Sequence, residues 1–168
     1  EAFAGLRMRS ADNPIAIKAW RAVDAVPVPL AWGEIYSSLQ QGLIDGQESA
    51  LSSMIIERFF EVQKYVSLTG HIYWPELWMA DLAWYNDLSD EDRTLIDEVA
   101  RETVLKQREL TAAANEATLA ELKEAGLIVN ELPAEDKKRL GDTMNGAIEA
   151  DVRAKVGDDF YDTFMAAV

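Results

Sequence analysis

Between Leu6 and Ser67 the sequence alternates short extended patterns with short helical ones, and this alternation restricts the fold more than any other feature of the chain. Residues 6–9 read as a strand. Asn13-Pro14 then opens a helix to about Val23, because Asn caps a helix well and the fixed φ of Pro suits its first turn. Residues 25–30 (Ala-Val-Pro-Val-Pro-Leu) are extended, since each proline pushes its predecessor out of the α region. A helix over 33–41 stops at Gly42, residues 43–48 form a short extended segment, and 50–59 are helical again. Repeated strand–helix order of this kind predicts α/β layers with parallel pairing. Residues 64–67 and 76–81, rich in aromatic and branched side chains, are further strand candidates.

The second half has a different character. Ser89, with an acid three residues later at Asp92, has the pattern of a capping box. Helix formers continue to Ala125, where Gly126 supplies a stop. Such a helix spans roughly 55 Å. Apolar positions stand near its ends (Leu95, Val99; Leu119, Leu122), while the middle, Lys106-Gln107-Arg108-Glu109, is polar nearly all round, as suits a helix bridging two bodies across solvent. A short extended run over 127–130 follows, then a helix from Pro133 to about Val152. Gly157 separates it from a terminal helix carrying Phe160, Phe164 and Met165. The expected division is residues 1–85 as an α/β ligand-binding lobe and 86–168 as the long bridging helix with C-terminal helices.

Charge and composition exclude several functions. The net charge is −14, with nine acids and six bases in residues 1–80 against 21 and ten in 81–168. Such a surface repels polynucleotides and anionic lipid, so no nucleic-acid partner is expected. The chain has no cysteine, which removes disulfides, thiol catalysis and Cys-based zinc sites. No apolar run approaches the ~20 residues of a membrane-spanning helix. No signal-peptide pattern is visible, and residues 1–6 read like the interior of a longer protein.

Catalytic signatures are missing as well: no Gly-rich dinucleotide fingerprint, Walker loop, HExxH or GxSxG occurs. A single histidine, His71, beside Ile72 and Tyr73, reads as structural. Neither a metal nor a cofactor is expected. Glu34 and Glu48 form the one conceivable acid–base pair, and with thirty acids in the chain solvated carboxylates are the simpler reading. All five tryptophans lie at or before Trp84. Trp20 fits a core position on a helix; Trp78, within the 76–81 strand candidate, and Trp84 just after it, fit packing too. Trp32 and Trp74 stand at strand-to-loop junctions, and Arg9 ends its strand. In open parallel sheets, ligands gather at the carboxyl ends of strands, and an Arg there can clamp a carboxylate with two hydrogen bonds. By residue pattern alone, a solvated Arg9 with core tryptophans is the simpler alternative.

Several blocks in unbroken order over residues 5–73 carry a family resemblance. They are Gly5-Leu6-Arg7-Met8-Arg9 with Asn13-Pro14; Pro29-Leu30-Ala31-Trp32-Gly33-Glu34-Ile35-Tyr36; and Leu39-Gln40-Gln41-Gly42-Leu43-Ile44-Asp45-Gly46-Gln47-Glu48. Phe60-Glu61-Val62-Gln63-Lys64-Tyr65 and Leu68-Thr69-Gly70-His71-Ile72-Tyr73 complete the set, and 88–97 matches an acidic helix start. The sequence resembles the DctP-like solute receptors of TRAP (tripartite ATP-independent periplasmic) transporters, most tellingly in DGQE and EVQKY. The resemblance implies a non-enzymatic, periplasmic, two-lobed protein of the periplasmic-binding-protein kind that closes over a small organic carboxylate, of the sugar-acid or aromatic-acid class, for the transporter's membrane subunits. It implies a lobe with a parallel or mixed sheet and a long helix running along both lobes. It further implies Arg9 as the carboxylate anchor, with Trp32, Ser49 and Trp74 facing the same cleft and Gln47 and Glu48 buttressing it. Ser49-Ala50 departs from the Asn-Pro that often follows DGQE in the family, and a hydroxyl offers different hydrogen bonds from an amide. Family members are about twice this length, so the sequence reads as the C-terminal part of one, and a lone fragment is expected to self-associate through the surface its missing lobe would cover. The rival readings are a small hydrolase or lyase with Glu34 or Glu48 as base, and an acidic helical module docking a basic partner.

Overall fold

A computed structural model describes residues 3–75 and 77–167. Two parallel strands, β1 (Arg7–Ser10) and β2 (Val26–Pro29), flank helix α1 (Pro14–Arg21), in register Arg7↔Val26 through Ser10↔Pro29. α1 starts where its local chemistry dictates: the Asn13 side chain accepts from the Ile15 N–H at 2.9 Å, and Pro14 occupies the first turn. Residues 45 and 46 add a third rung to β1. The Asp45 N–H bonds the Arg7 carbonyl, and the Arg9 N–H bonds the Gly46 carbonyl, each at 2.8 Å. This contact explains Gly46: a Cβ there would meet the Met8 sulfur at 2.8 Å.

Helices α2 (Ile35–Gln40) and α3 (Leu51–Ile56) follow, the former after a 3₁₀ turn at Trp32–Glu34. α2 ends at Gly42 (φ 65°), where the Gly42 N–H reaches the Leu39 carbonyl and the Leu43 N–H reaches Ser38, the bond pair of a Schellman stop. β3 (Tyr65–Leu68) pairs in parallel with β4 (Ile128–Glu131), 63 residues apart in register. Between them run α4 (Leu82–Asp87) and α5 (Asp90–Glu124). α5 opens on Ser89, whose hydroxyl accepts from the Asp92 N–H at 3.1 Å, and closes on Gly126 with the same Schellman pair, Gly126 to Lys123 and Leu127 to Leu122. α6 (Ala134–Val156) and α7 (Asp158–Met165) complete the chain.

Strand alternation divides the core between the two faces of the β1–β2 sheet. Met8 points to one side, where Ala19, Trp20 and Ala25 meet Leu140 and Met144 of α6. Val28 and Leu30 point to the other, onto Ile35, Leu39, Ile44, Met54 and Phe59, closed by Leu122 and Leu127. The expected α/β class with a parallel lobe, a long helix and C-terminal helices is therefore the observed one. Elements from either side of residue 85 share both clusters.

Four details differ from the sequence expectation. Residues 77–81 form no strand; Glu76, which opened that candidate, lies outside the described residues. Trp78 and Trp84 are consequently exposed rather than packed. α4 appears unannounced, capped by the Asp81 carboxylate on the Trp84 N–H at 2.9 Å. At the start of α5, Leu95 and Val99 face solvent, and the helix is fastened there by polar contacts instead, Tyr85 to Asp97 and Arg93 to the Asn86 carbonyl.

The rung beside β1 has a measurable pH signature. The Asp45 carboxylate accepts two hydrogen bonds from the Arg7 guanidinium (2.6 and 2.9 Å) and one from the Arg7 N–H (2.8 Å), which pull its pKa down to about 2. A carboxyl whose folded pKa lies below its unfolded value of about 3.9 stabilises the fold above that pH and loses the contribution as pH falls. Asp45→Asn should therefore be less stable than wild type at pH 6 in urea denaturation. The difference should shrink between about pH 4 and pH 2; a difference independent of pH would contradict the assignment.

Candidate functional site

At the carboxyl ends of the parallel strands three segments converge: the end of β1, the turn after β2, and residues 46–49. Arg9 lies in the middle. Its guanidinium donates twice to the Leu30 carbonyl, from Nε at 3.1 Å and Nη2 at 3.0 Å, and its Cζ stands 5.7 Å from the Trp32 ring. The residue is only 8% exposed. Burial pulls its pKa below the usual value, and the Glu48 carboxylate opposes that shift. Among the described residues no carboxylate forms an ion pair with it, and Nη1 has no hydrogen-bond partner. A buried cation without a bonded counter-ion is costly unless something else supplies the charge. The sequence alternative of a solvated Arg9 does not hold.

Trp32 is held on three sides. Its indole N–H donates to Glu57 Oε1 at 3.0 Å, its ring meets the buried Phe59 edge-on at 5.8 Å, and Arg9 lies over it. It remains 40% exposed, so one part of the ring is open. Glu57 reaches it from the C-terminal cap of α3, and the left-handed Arg58 (φ 56°) turns the chain just beyond. Nothing in the sequence marked Glu57 or the Leu30 carbonyl.

On the other flank, Ser49 accepts from Gln47 Nε2 at 3.1 Å, and that amide also reaches Gln63 Oε1 at 3.3 Å. His71 is enclosed as a structural residue would be. Its Nε2 lies 3.0 Å from Glu48 and its Nδ1 2.7 Å from the Thr69 hydroxyl, while its ring packs edge-on against Trp20 at 5.4 Å. Trp74 is not at a strand end, since β3 stops at Leu68. It stands 67% exposed in an irregular stretch with Tyr73, Leu77, Trp78 and Met79, also exposed. The structure thus brings Arg9 and Trp32 into contact, with the Glu48 carboxylate near enough to act on the Arg9 charge. Ser49 bonds Gln47, and the aromatic contacts of Trp32 are with Phe59 and Arg9, not Trp74.

The acid–base alternative finds no geometric support, because the two acids are committed separately: Glu34 accepts from the Ala31 N–H at 3.0 Å and Glu48 faces His71. No cluster of three His, Asp or Glu side chains suited to a metal occurs among the described residues. No helix among them is long and apolar enough to cross a membrane.

The fold and sequence of the chain have counterparts among known proteins. A TRAP periplasmic solute-binding protein from Ochrobactrum anthropi, crystallised with its C-terminus bound in the ligand-binding pocket, superposes with a TM-score of 0.89 at 33% identity, over 98% of this chain and 51% of that one. A TRAP solute-binding protein from Citrobacter koseri with bound D-glucuronate superposes at 0.79 with 26% identity, over 92% of this chain and 50% of its own. The 2,3-diketo-L-gulonate-binding periplasmic protein YiaO of Escherichia coli K12 is 32% identical over 145 residues, 86% of this chain and 43% of that protein. The chain therefore spans about half the length of the relatives it matches. Its residues 1–153 match the profile of the bacterial extracellular solute-binding proteins, family 7 (DctP), whose members bind solutes for transport rather than transform them. The chain belongs to that family.

Proposed function

We propose that this chain forms the arginine-bearing half of a periplasmic receptor that captures a small organic carboxylate and delivers it to the membrane subunits of a TRAP transporter. The observation that carries the reading is Arg9: a buried cation at the mouth of a parallel sheet, oriented by a backbone carbonyl, with no bonded carboxylate among the described residues. A carboxylate ligand supplies the missing charge. Trp32 offers that ligand an apolar face, Ser49 a hydroxyl, and Trp74 a further aromatic surface once the cleft is complete. Residues 1–85 carry these ligand-facing elements, and 86–168 brace them with the long helix and the C-terminal helices. Sugar acids and aromatic acids fit best, since a flat or CH-rich face stacks on an indole. That class agrees with the D-glucuronate and 2,3-diketo-L-gulonate named for two relatives. On its own, the half-receptor leaves the apolar stretch around Trp74 and Trp78 uncovered, a surface suited to a second copy.

The test is a calorimetric and thermal-shift panel on the full-length receptor with D-glucuronate, benzoate, D-gluconate and succinate. Saturable binding without product is expected, with D-glucuronate or benzoate ranked above succinate. Turnover of any acid, or succinate ranked first, would overturn the capture reading or its ligand class respectively.

A further inference from the structure

Glu57 has no place in the family resemblance, yet it makes the polar contact that fixes the orientation of Trp32. An indole resting only on Phe59 could rotate about its side-chain bonds and still bury the same apolar area. Its N–H is a single donor with one direction. Bonding that donor at 3.0 Å to a carboxylate selects one rotation, with Arg9 over the ring and the residue still 40% exposed. Glu57 is itself held in place. It is the C-terminal cap of α3, and the left-handed Arg58 beyond it is tied to Glu61, which also accepts from the Tyr36 hydroxyl at 2.8 Å. Tyr36 lies four residues after Trp32, so the turn carrying the indole and the turn carrying its acceptor are joined twice.

We infer that Glu57 is a positioning residue for ligand selectivity: by locking the Trp32 indole beside Arg9 it makes the site prefer acids with a ring over open-chain acids of the same size. This rests on the capture reading above. A preset ring surface costs a ring-shaped ligand no ordering on binding, whereas a freely turning indole would have to be ordered each time. An open-chain acid, able to adapt its own torsions, gains little from the preset surface.

D-glucuronate closes to a pyranose ring and D-gluconate stays open, while both carry six carbons and one carboxylate, so the change in the ratio of their affinities between wild type and variant reads the effect. The full-length receptor would be labelled with 5-fluorotryptophan, and the Trp32 fluorine resonance identified by its loss in Trp32→Phe. In Glu57→Ala the resonance should shift or broaden, and the preference for D-glucuronate should fall by roughly tenfold, the worth of one hydrogen bond to a charged acceptor. D-gluconate affinity should change by less than about twofold. Glu57→Gln keeps an oxygen acceptor and should restore both the resonance and the ratio. An unchanged resonance or ratio in Glu57→Ala overturns the proposal, as does an equal loss for both acids or a Gln variant that behaves like Ala. A wild-type receptor that binds neither acid better than the other removes the ring preference itself. If Arg9→Ala abolishes binding while Glu57→Ala leaves the ratio intact, capture stands and only the positioning role falls.

Discussion

Arg9→Ala in the full-length receptor is expected to weaken carboxylate binding by roughly 2–5 kcal/mol, the cost of breaking a buried, hydrogen-bonded charge pair. Two features of the structure set that magnitude. Arg9 is buried as a residue, and burial raises the effective strength of a charge pair. Its two bonds to Leu30 orient the planar fork before any ligand arrives, so little ordering remains to be done. Arg9→Lys keeps the charge but cannot bond Leu30 and a carboxylate in the same fixed plane, and should lose much of the affinity as well. Arg7 supplies the control. It lies two residues earlier in the same strand but is committed to Asp45, so Arg7→Ala should cost stability and leave affinity within about twofold. Calorimetric titration of the three variants, with circular dichroism to check folding, decides the matter. A folded Arg9→Ala protein binding as wild type would refute the anchor.

Phe59→Ala should lose about 3–5 kcal/mol of folding stability, the range for truncating a fully buried aromatic side chain. Phe59 is 1% exposed and lies in the cluster that also holds Ile35, Leu39, Ile44, Met54, Leu122 and Leu127. Its removal opens a cavity where α2, α3 and the end of α5 meet, and takes away the ring against which Trp32 rests. Leu43→Ala, at an exposed site one residue after the Gly42 stop, should stay within about 0.5 kcal/mol of wild type. Urea denaturation of both variants gives the comparison. A Phe59→Ala loss below about 1 kcal/mol would mean that this cluster is not the core of the fold.

Features determined by neighbours in sequence were legible, and features determined across the fold were not. Asn13-Pro14, Gly42, Ser89 and Gly126 each act on backbone groups within a few residues, so their effect is written locally. The β2 strand was legible because the prolines of 25–30 leave few other conformations. Residues 77–81 misled because aromatic and branched composition indicates a side chain suited to a sheet, whereas a strand also needs a partner backbone, and among the described residues these have none. In the site, Arg9 was legible from its place at a strand end. The groups that hold it and Trp32 were hidden, because Leu30 lies 21 residues from Arg9 and Glu57 lies 25 from Trp32. Contacts at that separation leave no periodic trace.

α5 runs for 35 residues, yet its single buried side chain is Leu122, near its end. From Arg101 to Ala117 every residue is exposed. Packing within this half of the receptor therefore selects almost nothing along that stretch, and there the helix is held by the backbone preference of residues such as Ala112, Ala113 and Ala114 and by surface pairs such as Lys106 with Glu109. Among the described residues, the contacts of this stretch ask only for a rod free of glycine and proline. Leu122 and the Gly126 stop, which fix where the rod ends, are by contrast narrow in what they tolerate.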